Sequence, residues 1–365
     1  MDMELMIKIA SKDLDKIKKP GLKASLKETA KKAMGKNVAS SDLLFWPAGL
    51  LLLGLSECAL RDNTDPHLTS AAKELALASA TDYIKNWKDL TGEKISFVDD
   101  ALSGVAMINL FARTGQDHFM QSATKIATFL HRAPKNIEES IIYNPKAGND
   151  YIFADGAGQS AMFLSYYGFI FHKTSATKLA AKQLLNYYNH GIDKTTGLPY
   201  HAFSLGEAKK LGLLGWGRAM GWLLMGYSEY VATMKITGNK EEDHINNIIL
   251  SQYKNLVYTT LSYQRLDGGF SWLLPAVEGE PDTSATAMIG YAIALSLAFD
   301  LLPEDESRIR QALLRMKDFV LNHTKNGQVN QALSSCEDLA VHRQVYGHFP
   351  WGQGAALAFL SIMNL

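Results

Sequence analysis

Six short clusters along the chain hold the residues that could do chemistry: FWPAG (45–49), VDDAL (98–102), ADGAGQ (154–159), WGRAMGW (216–222), DTSATA (282–287) and FPWGQG (349–354). Together they supply Trp46, Asp99, Asp100, Asp155, Gln159, Trp216, Arg218, Trp222, Asp282, Trp351 and Gln353. Asp, Ser and Thr at helix starts serve as N-caps in any helical protein, which accounts for Asp282–Thr283 and for one of the Asp99/Asp100 pair. Capping asks for neither an indole nor a guanidinium, so Trp216, Arg218, Trp222 and Trp351 need another reason. Aromatic faces beside carboxylates suit a sugar, whose apolar faces stack and whose hydroxyls need acceptors. Asp99 and Asp155, one repeat apart, add the pair of acids that glycosidic chemistry uses. One donates a proton and the other stabilises or orients.

The elements that must gather these residues are helices. Apolar residues recur at helical spacing through most of the chain, and strand-like alternation is short, as around Tyr263–Leu274, so the chain reads as all-α. One set of helices is apolar with many small residues: Pro47–Leu60, Asp99–Phe111, Asp155–Phe169, Trp216–Tyr230, Thr283–Leu297 and Trp351–Met363. The other is amphipathic and charged: Thr69–Trp87, Asp117–His131, Thr177–His190, Glu241–Tyr258 and Glu304–Asn322, with Met3–Ala33 as the partner of the first apolar helix. The two kinds alternate.

The apolar helices begin near 41, 98, 155, 215, 283 and 351, at offsets of 57, 57, 60, 68 and 68 residues. Such a period is the mark of a repeated helical hairpin. A helix that is apolar all round is buried and an amphipathic one lies outside it. Six inner and six outer helices close most simply into a single (α/α)6 barrel. An open solenoid would end in polar caps, whereas the last helix, WGQGAALAFLSIMNL, stays apolar to the final residue. No Pro/Ser-rich linker divides the sequence, so 1–365 is expected to be one catalytic domain. In a closed barrel all six inner N-termini meet at one end of the pore.

Other chemistries find less support. The 37 basic and 37 acidic residues give zero net charge with no basic block, so no nucleic-acid or anionic-membrane partner is expected. Gly156, Gly158 and Ala161 match G-x-G-x-x-A, but helix follows helix and no acid stands about 20 residues on, which rules out a dinucleotide cofactor. Met162 in place of Gly breaks the nucleophile elbow G-x-S-x-G. Cys58 and Cys336 are isolated, and His342 and His348 match no ligand spacing, so neither a disulfide framework nor a metal is expected. The longest apolar run, Leu43 to Leu55, is too short to span a bilayer. With an acidic start and no signal-type apolar core, the expected location is the cytoplasm. His201, in the turn-rich GLPYHAF, reads equally well as structural or as part of the site.

Five segments resemble the unsaturated rhamnogalacturonyl hydrolases of glycoside hydrolase family 105 and the related unsaturated glucuronyl hydrolases of family 88. They are FVDDALSGVAMINLFARTGQ (97–116), FADGAGQSAMFLSYYG (153–168), GLPYHAF (197–203), WGRAMGW (216–222) and DTSATAMIGYAIA (282–294). The Trp-x-Arg-x-x-x-Trp element and the Asp155 segment, with Phe163 eight residues on, are the most specific. The resemblance implies an (α/α)6 barrel, in agreement with the repeat count. It also implies hydration of the C4–C5 double bond of an unsaturated uronyl residue, with no metal or organic cofactor. Asp155 would be the general acid, and Asp99 would hold a ring hydroxyl and tune it. Arg218 and His201 would contact the uronate or nearby hydroxyls, with Trp216 and Trp222 as stacking walls. Gln159, Trp46 and Trp351, placed at the pore end by the helix starts, are read as further substrate-binding residues.

The leading expectation is removal of an unsaturated galacturonyl residue from short pectin- or rhamnogalacturonan-derived oligosaccharides. The alternatives are an unsaturated glucuronyl hydrolase, another (α/α)6 sugar enzyme (an inverting glycosidase or an epimerase), and a non-catalytic helical-repeat interaction protein. An inverting glycosidase needs two carboxylates roughly 6.5–9.5 Å apart with water between them. A scaffold has no use for Trp, Arg and Asp gathered at helix starts.

Overall fold

Alternation of apolar and amphipathic segments becomes alternation of inner and outer helices. A computed structural model describes residues 2–18, 42–60, 68–237, 243–336, 339 and 342–363. The inner helices are α2 (Trp46–Leu60), α4 (Asp100–Thr114), α6 (Ala154–Ile170), α8 (Gly217–Thr237), α10 (Thr283–Ala298) and α12 (Pro350–Ile362). The outer ones are α1 (Met3–Lys18), α3 (Ser70–Thr91), α5 (Asp117–Arg132), α7 (Thr174–Gly191), α9 (Asp243–Ser262) and α11 (Glu306–Asn322). The inner helices are buried on every side: α2 hides each residue from Ala48 to Ala59. Outer helices bury one stripe, as α5 does with Phe119, Ala123, Ile126, Ala127 and Leu130.

Each inner helix packs on the next, and α12 returns to α2, so the ring closes into an (α/α)6 barrel. Glycines let the inner helices meet. A Cβ on Gly54 would lie 2.4 Å from the Gly354 carbonyl at the closing seam, and one on Gly158 would lie 2.2 Å from the Trp222 carbonyl. Gly158 of ADGAGQ therefore serves helix packing, whereas Gly156 makes room for the Tyr143 ring, 2.8 Å from where a Cβ would lie. Local signals fix the ends: Thr69 caps α3 by accepting from the Ala72 amide, and Gly92 and Gly115 stop α3 and α4 in the left-handed region.

Two expectations change, and a third is met as far as it can be followed. The first inner helix starts at Trp46, not near 41. The charged helix expected over Met3–Ala33 is helical to Lys18, and its remainder lies outside the described residues. Tyr263–Leu274 forms no strand. Gly268 turns at φ +91°, and only single bridges form, Trp216 with Leu273 and Ser271 with Pro281. No single described helix is long and apolar enough to cross a membrane.

The outer helix α1 reaches across the seam to α12 and α2. Gln353, expected among the pore-end residues, instead faces α1: its Nε2 donates to the carbonyls of Met6 (3.0 Å) and Gly327 (2.9 Å). His348 adds a second fastening, with Nε2 2.7 Å from Asp13 Oδ2 and Nδ1 2.9 Å from the Val329 carbonyl. Burial would lower the His348 pKa, but Asp13 and the Val329 carbonyl raise it. Burial would raise Asp13, but His348 and Lys16 pull it down. A raised histidine stabilises fully below its unfolded value and loses that contribution as pH rises through its folded one. A lowered carboxyl contributes above its unfolded value and loses that as pH falls. Both contributions are whole between about pH 4 and 6.5. His348→Gln is expected to cost about 1–2 kcal/mol at pH 5.5, with a smaller deficit at pH 9, read by denaturant melts.

Three short antiparallel strands, β1 (Ile152–Phe153), β2 (Ala202–Ser204) and β3 (Lys209–Leu211), lie at the end where the inner helices begin. Their pairing of Phe153 with Ala202 places the start of α6 beside His201.

Candidate active site

A cavity of about 500 Å³ opens at that end. Helix starts contribute Trp46, Asp155, Trp216, Arg218 and Trp222. Strand β1 contributes Phe153, and loops contribute Phe45, Tyr143, His201, Ser335, Cys336 and Leu339. Trp46 meets Trp222 edge-on at 6.5 Å, giving two indole walls at an angle of 82°. Trp351 stands behind Trp46 at 4.8 Å, stacked on Phe349 at 4.6 Å, and its Nε1 donates to the Leu333 carbonyl (2.8 Å). It supports the aromatic wall and is not among the residues that line the cavity.

Asp155 occupies the first turn of α6, and its Oδ2 lies 3.1 Å from His201 Nε2. The Ala154 amide donates to the His201 carbonyl (3.0 Å), so backbone pairing fixes the two side chains to one another. Burial would lower the His201 pKa, but the Asp155 carboxylate and the Cys336 side chain carry it up to about 9. The imidazole is charged at neutral pH. Its ring packs on Trp216 at 4.4 Å and on Phe153 at 5.2 Å.

Asp99 departs from expectation. Although its helix starts at the same pore end as that of Asp155, it is fully buried and absent from the lining. Its Oδ2 accepts from Tyr143 Oη (2.5 Å) and its Oδ1 from Gln159 Nε2 (3.2 Å). Tyr143, which does line the cavity, thus separates Asp99 from it, and Gln159 is likewise buried behind the wall. The cause is helix phase. Asp99 precedes the first residue of α4, whereas Asp155 is the second residue of α6. Two positions amount to about 200° of rotation. Asp100 does the local work at the start of α4, its Oδ2 accepting from the amides of Ser96 (2.8 Å) and Phe97 (3.1 Å).

Burial pushes Asp99 up to about 8 against its two hydrogen bonds, and the Asp155 charge adds to the rise. The folded chain then holds a proton that an unfolded Asp gives up above about pH 4. This group's contribution to stability is full below pH 4 and is lost as pH rises towards 8. Asp99→Asn should remove that slope. Its melting temperature should gain on the wild type steadily from pH 4 to pH 8, and parallel pH curves would contradict a neutral buried acid.

Arg218 lines the cavity and is itself buried, its guanidinium 4.9 Å over Trp216 and 5.8 Å from Trp351. Nη1 donates to the Leu333 carbonyl (2.8 Å) and Ser284 Oγ (3.4 Å), and Nη2 to the Ser334 carbonyl (2.8 Å). His342 sits between Trp216 (5.1 Å) and Trp272 (5.4 Å). Burial, then the charges of Arg218 and His201, lower it to about 4, so it is neutral. Among the described residues no three His, Cys, Asp or Glu side chains gather as a metal site. Tyr143, Ser335, Cys336 and Leu339 carried no signal in the sequence. They lie in irregular loops whose course depends on contacts with distant helices.

The model of Glycosyl Hydrolase Family 88 matches residues 22–364. The chain belongs to this family. It is a glycosidase, and its cavity falls within the usual size of small-molecule sites. The glycosidase is 22% identical over 328 residues to the unsaturated rhamnogalacturonyl hydrolase YesR of Bacillus subtilis, covering 87% of this chain and 88% of that one. Its fold matches a possible family 105 member from Salmonella enterica with a TM-score of 0.75 at 15% identity, over 87% of this chain and 82% of that one. The unsaturated glucuronyl hydrolase of Bacillus sp. GL1 matches with a TM-score of 0.65 at 15% identity, over 87% and 86%. Those two likenesses show the common fold.

Proposed function

We propose that this family 88 glycosidase removes a 4,5-unsaturated uronyl residue from a short oligosaccharide by hydrating its C4–C5 double bond. The observation that carries the reading is the cavity wall. Among the described residues Asp155 is the carboxylate that lines it, while Asp99 lies behind Tyr143. Attack at an anomeric carbon calls for two carboxyl groups facing the sugar, in both the inverting and the retaining form. Hydration of a vinyl ether calls for one acid. Asp155 passes to C4 the proton it receives from the charged His201 imidazole, 3.1 Å away, and the positive charge that forms at C5 is shared with the ring oxygen. Water adds at C5 as Asp155 takes its proton. The resulting hemiketal opens, and the hemiacetal left at C1 releases the remaining sugar.

Trp46, Trp216 and Trp222 offer faces to the sugar rings, and the charges of His201 and Arg218 suit the uronate carboxylate. Asp99 and Gln159 act from behind, Asp99 through the hydroxyl of Tyr143 and Gln159 by holding Asp99. The similarity to an unsaturated rhamnogalacturonyl hydrolase favours a galacturonyl group from pectin or rhamnogalacturonan, with the glucuronyl analogue as the second reading. Residues 1–365 act as one catalytic domain. Two cysteines that form no disulfide suit a reducing cytoplasm receiving oligosaccharides after uptake.

The test compares lyase-generated unsaturated galacturonyl and glucuronyl disaccharides with their saturated counterparts. Turnover of an unsaturated substrate, with the galacturonyl one faster, is expected. Comparable release from the saturated sugars would overturn the proposal.

A further inference from the structure

Tyr143 touches both the cavity and the buried acid behind it. Its ring is held by packing, stacked on Phe153 at 4.5 Å and seated over Gly156, where a Cβ would lie 2.8 Å away. Its amide donates to the Tyr151 carbonyl (3.1 Å), which anchors the loop that carries it. The ring is therefore fixed, and the hydroxyl proton is the part left free to turn. A phenol hydroxyl both donates and accepts. Here it lies 2.5 Å from Asp99 Oδ2 while its side chain lines the cavity.

Which way that bond runs depends on the proton of Asp99. The carboxyl is fully buried, and no ion pair reaches it among the described residues. The titratable groups that act on it are Tyr143 from the loop before β1, Asp155 from α6, Asp42 from the segment before α2 and Asp100 from α4. Burial beside other acids favours the neutral form. Gln159 Nε2 donates to Oδ1 (3.2 Å), so the proton of a neutral Asp99 belongs on Oδ2. Oδ2–H then donates to Tyr143 Oη, and the Tyr143 proton must turn elsewhere. Once Asp99 is ionised, Tyr143 donates to the carboxylate, a stronger bond than it makes to a neutral oxygen. Burial and the acids around it hold Tyr143 well above the usual phenol range, so it keeps its proton in both states.

We infer that Tyr143 binds substrate by donating its hydroxyl proton to an oxygen of the uronyl group, and that Asp99 is the positioning residue that controls this donor. A protonated Asp99 turns the donor into the cavity, and an ionised Asp99 withdraws it. This role for Tyr143 rests on the glycosidase reading above. Because Asp99 is carried up to about 8, the donor is present at neutral pH and is withdrawn as the pH passes 8.

Two variants set the switch in opposite positions. Tyr143→Phe keeps the ring and removes the donor. Asp99→Asn keeps the donor turned outward at every pH, since its Oδ1 can accept from Gln159 Nε2 while its amide donates to Tyr143 Oη. The readout is KM on an unsaturated disaccharide between about pH 6 and pH 9.5, each variant divided by wild type, so that the titration of His201 cancels. Tyr143→Phe should raise KM about tenfold at pH 6, the scale of one lost hydrogen bond, with a smaller change in kcat. Its ratio to wild type should approach one by pH 9.5. The ratio for Asp99→Asn should fall about tenfold over the same range. A Tyr143→Phe ratio that is near one at pH 6 or equal at both ends, or a flat ratio for Asp99→Asn, would overturn the inference. Infrared spectra of the free enzyme test the pair without turnover. A carboxylic-acid carbonyl band should be present at pH 6, fade as the pH passes 8, shift in Tyr143→Phe and be missing from Asp99→Asn. Lack of an Asp99-dependent band at pH 6 would mean an ionised Asp99 and no switch. If the wild type turns over neither uronide, the proposed function fails, and the band still decides whether Asp99 turns Tyr143.

Discussion

Asp155→Asn is expected to lower kcat on an unsaturated disaccharide by about 10³-fold or more, within the range general acid–base groups supply. An amide can keep the contact to His201 Nε2, now 3.1 Å from Oδ2, but it has no proton to give to carbon. No second acid can take over at the wall among the described residues, because Asp99 lies behind Tyr143 and Gln159. KM should stay within about threefold, since the substitution removes an interaction made only in the transition state. Steady-state kinetics with a thermal melt alongside make the check. Retention of more than about a tenth of wild-type kcat would be incompatible with a general acid at this position.

Gly158→Val should have the largest effect on stability. Its Cβ would lie 2.2 Å from the Trp222 carbonyl oxygen and 2.4 Å from the carbon, and a Cβ at Gly226 would lie 2.7 Å from the Gly158 carbonyl. The obstacle is backbone on both sides of the α6–α8 seam, so no rotamer change relieves it. Overpacking against yielding side chains costs about 1–3 kcal/mol, and a rigid seam should exceed that. A fall in melting temperature of at least about 5 °C is expected, together with reduced activity, because α6 carries Asp155 and α8 carries Trp222. Gly347→Ala serves as the control, since nothing lies within 4 Å of a Cβ there. Equal melting temperatures for the two variants would mean that close helix contact is not what these glycines provide.

What could be read from the sequence follows from what each residue depends on. The ring of six inner helices was legible because a helix such as α2, apolar all round, can only be buried. The gathering of Trp46, Asp155, Trp216, Arg218 and Trp222 followed from that ring, since alternating helices bring every inner start to one end. Asp99 was misplaced by the same reasoning. A repeat of about 57 residues equates it with Asp155, but two residues of difference in where the helices begin turn it behind the wall. The contact of His201 with Asp155 depends on two residues of β1 pairing with β2, too short a pattern to stand out in a sequence. Tyr143, Ser335, Cys336 and Leu339 take their places from long-range bonds, such as those of Arg218 to Leu333 and Ser334, that no local periodicity records.

The central claim is that water adds across C4–C5 and that the glycosidic bond breaks as a consequence. Conjugation between the double bond and the carboxylate gives the substrate its ultraviolet absorbance, so bleaching and sugar release can be followed in one reaction. The result expected is one mole of absorbance lost for each mole of sugar released at every time point, with both processes abolished together in Asp155→Asn. Release of sugar while the absorbance persists would place the attack at the anomeric carbon and contradict the claim.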